Sequence, residues 1–526
     1  MHGTGSRQVD EWPTWPIFRR LAGARDCTSH NPLVPDASEG YPLGMRVAFP
    51  TVLALILSAS ACVGDDPASA PDAGATPPGT GAAVLPGVDA STDGQPVLDA
   101  GKPDSGTPSL QAISVSAGST HTCAVLVNGD VVCWGSNGNG ELGTPPGALP
   151  SSSLPVRVAL PSKAKMVSAG DKVTCAHLDN GKVACWGNND SGQLARSPFS
   201  AVGDVKEVVP PPTDARGKWD PVAAVSVGGS HVCVTSVGGP SPLVGKDINY
   251  SWCWGKNLFR ELARETNGFP SVVPLIATQN GKDSDTNPFY VDKVVSGADF
   301  TCSEAFIPVP SGVFFRGLVC WGAANSNQIG KSFGPGQPFG TPSFGAETFL
   351  TNPRLAAAGT EHACTIAAKT AGGEALYCWG RATKGAIGSL TGTAVDGKAN
   401  LVASVDAAKV THVAAGGDTT CIVESGTFRC LGANASGQLG NGTVDSAPHT
   451  AFTTVELPPT VSSVAVGGEH VCVVLGSAPG RPGEVRCWGA NRAGQLGDGL
   501  DLNVGYPGAP EQKYIRTKPV TVLAGK

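Results

Sequence analysis

The chain has 526 residues, of which 70 are Gly and 43 are Pro, and only 15% are charged. This composition favours short strands and turns over long amphipathic helices, so the sequence predicts an all-β protein. A net charge of -6, without a cluster of Lys and Arg interleaved with aromatic residues, argues against nucleic acid as a partner.

The first 109 residues carry no repeated pattern and divide into three segments. Residues 1–44 lack any periodicity, and we interpret them as a mis-called start without structure. Residues 45–61 read MRVAFPTVLALILSASA, an Arg ahead of a short apolar run, which is typical of a bacterial signal peptide. Residues 62–109 are rich in Pro, Gly, Ala, Ser and Asp, which predicts a disordered tether with a reach of roughly 35 to 40 Å.

Cys62 directly follows the apolar run, and the stretch ASAC resembles the lipobox of bacterial lipoproteins. The resemblance implies that Cys62 is lipidated and becomes the new N-terminus. Ala59 stands where Leu is usual, so a cleaved signal with an incidental cysteine and an uncleaved anchor stay open, although the run is short for a membrane span. We expect an exported lipoprotein at the outer membrane or cell surface, with a periplasmic or secreted protein as the alternative.

One motif recurs seven times from residue 110 onward, and we number its copies units 1 to 7. The first copy, at residues 121–143, reads HTCAVLVNGDVVCWGSNGNGELG, in which two cysteines flank a turn signal and Trp-Gly follows the second. A turn signal such as Asn128-Gly129, midway between the cysteines, places the two thiols opposite each other on paired strands.

The sequence therefore predicts one disulfide in each unit. Export supports oxidation of these thiols. Seven pairs of reduced core cysteines are the alternative, and the absence of C-x2-C and C-x4-C pairs argues against zinc. The predicted pairs are Cys123–Cys133, Cys175–Cys185, Cys233–Cys253, Cys302–Cys320, Cys364–Cys378, Cys421–Cys430 and Cys472–Cys487.

Short strands flank each hairpin. A strand of small and β-branched residues ending in Gly precedes the first cysteine, as in VSAG at residues 115–118, and small side chains suit strands that converge on one axis. PVRV (155–158), SVVPLI (271–276) and HTAFTTVEL (449–457) are predicted outer strands. A spare strand, PVTV at residues 519–522, could complete the blade that begins near Leu110, which predicts a ring closed by both termini.

The combined pattern, SAGxxHTCAV followed by CWGxNxxGxLG, resembles the regulator of chromosome condensation repeat. The resemblance covers residues 110–526 and implies a seven-bladed β-propeller with one disulfide in each blade. Leu431 replaces Trp in unit 6, and the paired cysteines resemble the secreted bacterial lipoprotein type more than the nuclear type. Because the family includes nuclear exchange factors and a secreted β-lactamase inhibitory protein, guanine-nucleotide exchange and enzyme inhibition are alternative functions.

Four units carry a His two residues before the first cysteine, and six carry a Trp after the second. Repeat-related residues lie one blade apart, too far to share a metal ion, so we expect the imidazoles to bond to neighbouring backbone. The tryptophans are expected to be packing groups, and no metal or cofactor is predicted. These residues are His121, His231, His362 and His470, with Trp134, Trp186, Trp254, Trp321, Trp379 and Trp488.

Motifs for catalysis are incomplete in this sequence. GKSFG at residues 330–334 matches G-x-S-x-G but lacks the strand-to-helix context of a nucleophile elbow. Asn325 stands where a phosphate loop needs its first Gly. DSDTN at residues 283–287 begins like a calcium loop, but Pro288 and Val294 replace the required Gly and Glu. We predict no catalytic residue and no enzyme, with a propeller hydrolase or lyase as the least favoured alternative.

Long insertions at residues 238–250, 277–290 and 332–349 distinguish units 3 and 4. The third carries four phenylalanines, which we predict as binding residues because aromatic side chains are enriched at interfaces. The predicted function is that of a surface-tethered, monomeric, non-enzymatic propeller that binds a protein or cell-surface ligand and contacts the membrane only through its lipid. The four residues are Phe333, Phe339, Phe344 and Phe349.

Overall fold

The computed structural model describes residues 108–524, except for residues 201, 212–218, 220, 242–245, 278–289, 309–313, 331–338, 344–349, 370, 392–398, 403, 477–481 and 501–510. The signal segment, Cys62 and all but the last two residues of the predicted tether lie outside this part of the chain. The described residues belong to one unit of contacts, residues 93–526. None of their helices has the length and apolarity to cross a bilayer.

The described residues form 29 strands and two short 3-10 helices, Ala407–Lys409 and Glu511–Tyr514. The strands of the first half are β1 (Gln111–Ala112), β2 (Ser114–Ala117), β3 (His121–Val125), β4 (Val131–Ser136), β5 (Ser151–Arg157), β6 (Ala164–Ala169), β7 (Val173–Leu178), β8 (Val183–Gly187), β9 (Gly203–Glu207), β10 (Val222–Val227), β11 (His231–Ser241), β12 (Lys246–Gly255), β13 (Ser271–Ile276) and β14 (Tyr290–Ser296). Those of the second half are β15 (Phe300–Pro308), β16 (Phe314–Ala323), β17 (Phe339–Ser343), β18 (Arg354–Ala358), β19 (His362–Ala368), β20 (Glu374–Gly380), β21 (Asn400–Leu401), β22 (Val410–Gly416), β23 (Thr419–Glu424), β24 (Thr427–Asn434), β25 (Asp445–Thr454), β26 (Val461–Val466), β27 (His470–Leu475), β28 (Gly483–Ala490) and β29 (Ile515–Thr521).

Each unit contributes an antiparallel sheet built around its cysteine hairpin. The order in unit 1 is β2-β3-β4-β5, and units 2, 5 and 6 repeat it with β6 to β9, β18 to β21 and β22 to β25. Nearly every residue of β3 and β4 is buried, which indicates a sheet covered on both faces. The hydrophobic core runs between units, since Val125 of unit 1 packs with Val167 and Trp186 of unit 2.

A disulfide joins the second and third strands of every unit. In each case the two cysteines are direct cross-strand partners, with Cα atoms 4.0 to 4.2 Å apart. The bridges join the pairs Cys123–Cys133, Cys175–Cys185, Cys233–Cys253, Cys302–Cys320, Cys364–Cys378, Cys421–Cys430 and Cys472–Cys487. Seven buried disulfides indicate folding in an oxidising environment.

Units 3 and 4 form one continuous eight-stranded sheet. The hairpin of β11 and β12 extends beyond the cysteines. In this extended part, Asn249 and Tyr250 of β12 also pair with Val291 and Tyr290 of β14. Residues 238–241 and 246–250, predicted as part of a loop insertion, are therefore strand. The pairing continues because β14 supplies the hydrogen-bonding edge that an isolated hairpin would lack.

The predicted outer strands at residues 155–158, 271–276 and 449–457 coincide largely with β5, β13 and β25. The predicted loop at residues 332–349 differs, because it contains β17, the outer strand of unit 4. Gly340 and Phe339 of β17 pair through their backbones with Gly322 and Ala323 of β16. The loop interpretation is wrong for these five residues, since the sheet of unit 4 takes its fourth strand from them.

Both terminal strands lie in the sheet of unit 7. Val520 of β29 pairs with Cys487 of β28, and Gln111 of β1 pairs with Glu484 further along the same strand. The spare strand at residues 519–522 therefore completes the sheet of unit 7, which also takes in the residues near Leu110, since the Leu110 N–H donates to the Val522 carbonyl at 2.8 Å. Unit 1 has its own outer strand, β5.

Candidate binding surface

Four buried imidazoles connect consecutive units. His121 Nε2 lies 2.8 Å from the Thr174 hydroxyl of unit 2, and His470 Nε2 lies 2.8 Å from the Thr122 hydroxyl of unit 1. The other two pairs are His231 with Thr301 and His362 with Thr420. We expected backbone partners, but the partner is a side chain of the next unit, because each Thr directly precedes a cysteine and faces the preceding sheet. Each imidazole lies at a different unit boundary, and the described residues contain no group of three metal-binding side chains.

The hydroxyl partners fix the protonation state of these imidazoles. The Thr122 hydroxyl donates to the Gln495 carbonyl at 2.9 Å, and the Thr420 hydroxyl donates to the Ala386 carbonyl at 2.8 Å. Each hydroxyl must therefore accept from the imidazole, which assigns the proton to Nε2. Burial lowers the pKa of His362 to about 4 and that of His470 to about 3, so both are neutral at pH 7.

Unit boundaries without His carry no hydroxyl at the facing position. Phe300 stands in place of His in unit 4, and the next unit has Ala363 where Thr would be. Val173 likewise faces Val232, and Thr419 stands opposite Val471. This pairing was visible in the sequence. A His two residues before the first cysteine of one unit goes with a Thr one residue before the first cysteine of the next unit. Our sequence reasoning missed this match.

The six repeat tryptophans also act at unit boundaries. The indole N–H of Trp254 donates to the Gln193 carbonyl of unit 2 at 2.8 Å, and that of Trp134 donates to the Gln495 carbonyl of unit 7 at 2.9 Å. Trp186, Trp321, Trp379 and Trp488 make the same bond to the preceding unit. They are therefore both packing groups and hydrogen-bond donors.

Replacing Trp254 by Phe is expected to cost about 2 kcal/mol, and replacing Trp134 by Phe about 1 kcal/mol. The Gln495 carbonyl keeps the Thr122 hydroxyl when Trp134 is lost, whereas Val232 offers no hydroxyl at the equivalent place beside Gln193. Urea denaturation of both variants measures the difference, and equal losses would contradict it.

The loop after the third strand of unit 3, residues 256–270, is held by its own polar side chains. Asn257 accepts the Leu262 N–H at 3.0 Å and donates to the Arg264 carbonyl at 2.8 Å and the Thr266 hydroxyl at 2.7 Å. Glu261 accepts the Phe259 N–H at 2.8 Å. These bonds hold the turn that projects Leu258 into solvent.

Exposed apolar side chains lie on this loop, on the strand that follows it and on unit 2. Phe199, Leu258, Phe269 and Val273 are 51%, 56%, 70% and 41% exposed, and together with Val272 we call them the apolar rim. Clustered exposed apolar residues of this size are typical of interaction sites.

The apolar rim spans two units. A Cβ built on Gly192 would lie 3.0 Å from Phe199 and 2.9 Å from Val272, so these side chains of units 2 and 3 both lie beside that glycine. Leu258 lies against Gly268, which directly precedes Phe269. The absence of a side chain at Gly192 therefore lets the two halves of the surface approach each other.

Two ion pairs belong to the same chain segments as the apolar rim. Arg196 pairs with Asp204 at 3.5 Å in unit 2, and Arg260 pairs with Glu265 at 3.4 Å within the loop of unit 3. Charges that offset each other around an apolar centre are the usual arrangement of a protein–protein interface.

Most of the lipidation and binding residues predicted from the sequence lie outside the described part of the chain. Cys62, Phe333, Phe344 and Phe349 are outside the described residues, and Phe339 is known only as a backbone position in β17. Residues 331–334 of the GKSFG motif and residues 283–287 of the calcium-like motif are also outside. The apolar rim was not found from the sequence because its residues come from two loops and one strand with no shared motif.

Comparison with known proteins supports the repeat assignment. Two family models described as Regulator of chromosome condensation (RCC1) repeat match the chain, one at residues 112–141 and 165–193 and the other at residues 128–177 and 430–474.

Curated relatives match over short stretches. Regulator of chromosome condensation from Drosophila melanogaster is 36% identical over 86 residues, 16% of this chain and 15% of the relative. The Homo sapiens protein of the same name is 34% identical over 95 residues, 18% and 23%. Ultraviolet-B receptor UVR8 from Arabidopsis thaliana is 27% identical over 147 residues, 28% and 30%. The chain thus matches 15 to 30% of the length of these relatives.

Two solved structures share the fold. Human WBSCR16 superposes with a TM-score of 0.55 at 18% identity, covering 71% of this chain and 88% of that one. Yeast RCC1 (Prp20), in its complex with Kap60, gives 0.51 at 20% identity, covering 68% and 78%. These likenesses concern the fold alone.

Proposed function

We propose, on the premise that this chain carries regulator of chromosome condensation repeats, that it is an exported, non-enzymatic propeller that binds another protein. Yeast RCC1 is seen bound to the protein Kap60, which supports protein binding as a use of this fold. The alternatives of exchange factor, inhibitor and enzyme gain no specific support from the described residues.

The proposal includes a closed ring of seven blades. Unit 7 contacts unit 1 in the same way as units 1 and 2 contact each other, since His470 bonds to Thr122 as His121 does to Thr174. The Gly468 N–H also donates to the Gly118 carbonyl at 3.1 Å. Pairing of β1 with β28 supports closure by both terminal strands.

The oxidised cysteines support export, and the N-terminal sequence supports the proposal of a tether. Seven disulfides fit an extracytoplasmic location. The proposal assigns residues 45–61 as the signal peptide, Cys62 as the lipid attachment site and residues 62–109 as the tether, while residues 110–526 are the propeller.

The observation that carries the binding function is the apolar rim. Its four most exposed side chains would cost little to desolvate and would gain from burial against apolar groups of a partner. We therefore propose that the partner is a protein presenting its own apolar side chains, and the four phenylalanines of residues 332–349 are proposed as secondary contacts.

Phe199→Ser combined with Phe269→Ser is expected to weaken partner binding at least about tenfold, because interface aromatic side chains carry much of the binding energy. A photo-crosslinking residue placed at position 269 should capture the partner, and the binding affinity of the double variant should be measured on the captured protein.

Leu390, which is 54% exposed in unit 5, offers the matched control. Leu390→Ser should leave binding unchanged, and a crosslinker at position 390 should not capture the same protein. Equal crosslinking at both positions, or unchanged affinity of the double variant, would refute the apolar rim as the binding surface.

A further inference from the structure

Glu261 is a carboxyl group at a position where most other units carry an amide. Counting from the Trp-Gly of each unit, or from Leu431-Gly432 in unit 6, the residue two before the end of the turn is Gln in four units, Glu in units 1 and 3, and Ala in unit 5. The Gln residues are Gln193, Gln328, Gln438 and Gln495.

The surroundings of Glu261 satisfy only one of its two carboxyl oxygens. Oε2 accepts the Phe259 N–H at 2.8 Å, whereas Oε1 is fully buried and has no hydrogen-bond partner among the described residues. In unit 2 the equivalent Gln193 uses its amide group fully, accepting the Ser191 N–H and donating to Asn188. Glu261 therefore occupies a site shaped for a neutral group.

Two charged groups lie near Glu261, Lys256 of its own loop and Asp299 across the boundary in unit 4. Lys256 Nζ lies 3.8 Å from Glu261 Oε1, but it is already committed to Asp299 of unit 4 at 2.8 Å. The imidazole of His231 lies in the same electrostatic environment and is neutral because burial lowers its pKa to about 4. An ionised Glu261 would thus compete with Asp299 for a single cation.

Burial is the main cause that raises the pKa of Glu261 to about 7, and Asp299 adds to the rise, while the backbone N–H groups of Glu261 and Phe259 and the charge of Lys256 oppose it. The carboxyl group therefore changes its charge near neutral pH, where an ordinary Glu is fully ionised.

The same loop carries half of the apolar rim. Glu261 holds the Phe259 N–H next to Leu258, and Asn257 holds the Thr266 hydroxyl, which in turn bonds to the Phe269 carbonyl. The Leu262 N–H, next to Glu261 in the chain, donates to Asn257 at 3.0 Å and so connects Glu261 with this second set of bonds. Glu261 is thus linked within the loop to the positions of both rim side chains, Leu258 and Phe269.

We propose that ionisation of Glu261 loosens the loop of residues 256–270 and thereby weakens binding at the apolar rim, so that the protein holds its partner more tightly at mildly acidic than at mildly alkaline pH. The effect on binding rests on the proposed function, whereas the loosening of the loop does not. The physical cause is that the buried anion draws Lys256 from Asp299 or admits water, and either event disrupts the turn.

Hydrogen exchange of the full-length protein tests the loosening directly. The protection factors of peptides from residues 256–269 are expected to fall about tenfold between pH 6 and pH 8, the ratio given by a pKa of about 7 in the closed loop and 4.5 in the open one. Glu261→Gln, which copies the other units, should keep its protection constant over this range.

Glu141→Gln in unit 1 is the matched control. Glu141 is also buried at the equivalent position, but neither of its carboxyl oxygens is a buried atom without a hydrogen-bond partner. This variant should therefore retain the pH dependence of residues 256–269. A wild-type loop with equal protection at both pH values, or a Glu261→Gln loop that still loosens, would overturn the proposal. If hydrogen exchange behaves as expected but the affinity for the partner does not change with pH, ionisation of Glu261 loosens the loop but does not control binding at the apolar rim.

Discussion

Lowering the pH from 7 to 4 will destabilise the folded protein by about 3 kcal/mol for each of its four buried imidazoles. Burial lowers the pKa of His121, His231 and His362 to about 4 and that of His470 to about 3. Because these values lie below 6.5, the contribution of each imidazole is complete above pH 6.5 and is lost as the pH falls through 4. The contribution of Glu261 to the free energy of unfolding has the opposite sign, because its raised pKa adds stability as the pH falls from 7 to 4.5. It offsets the destabilisation caused by about one imidazole.

The variant His121→Phe with Thr174→Ala tests this origin, because it copies the native pair of Phe300 and Ala363. We expect it to reduce the net acid destabilisation by about a third, or about 3 kcal/mol, measured as the free energy of unfolding in urea at several pH values between 4 and 7. Thr174→Ala alone should instead cost roughly 1 to 3 kcal/mol at pH 7, because it leaves a buried N–H without its partner. An unchanged pH profile in the double variant would contradict the assignment.

Replacing Cys233 and Cys253 together by Ala will lower the free energy of unfolding by roughly 3 kcal/mol, because the reduced chain gains conformational freedom when unfolded. These cysteines enclose the longest segment, with a sequence separation of 20. Removal of the Cys421–Cys430 bridge, with a separation of 9, should cost about 0.7 kcal/mol less on the same chain-entropy model. Denaturation under oxidising conditions measures both.

Exposure to a reductant shows how fast the bridges are reduced in the folded protein and whether the fold is stable without them. All seven are buried, so a thiol reagent should react slowly with the folded protein and rapidly once mild denaturant opens the sheets. Rapid reduction of all seven without unfolding would show that the bridges are accessible, and a stable reduced protein would show that the fold does not depend on them.

Local patterns predicted the hairpins and most of the outer strands. Each cysteine pair brackets a turn signal, and the period of two within β3 and β4 places both cysteines on one face. The strand at residues 271–276 was predicted with its observed limits because turn-forming residues bound it. These features depend on neighbouring residues, which a single sequence displays.

Features that depend on distant residues were harder to predict. The extension of β11 and β12 requires the edge of β14, and β17 requires the free edge of β16, so neither was apparent from local composition. The apolar rim joins Phe199 to Val272 through space. The pairing of His121 with Thr174 could have been found, because it leaves a trace at fixed positions in consecutive repeats.

The alternation of polar and apolar unit boundaries constrains how such a protein can evolve by shuffling its repeats. In units 2 and 4 a Thr hydroxyl bonds to the His of the preceding unit, and an apolar residue faces the next unit. Exchanging these two units would therefore keep polar groups opposite polar groups and apolar groups opposite apolar groups. Exchanging units 2 and 3 would set His121 against Val232 and strand a buried donor. Duplication and recombination are thus limited to orders of repeats that keep each buried imidazole beside a hydroxyl of the next unit.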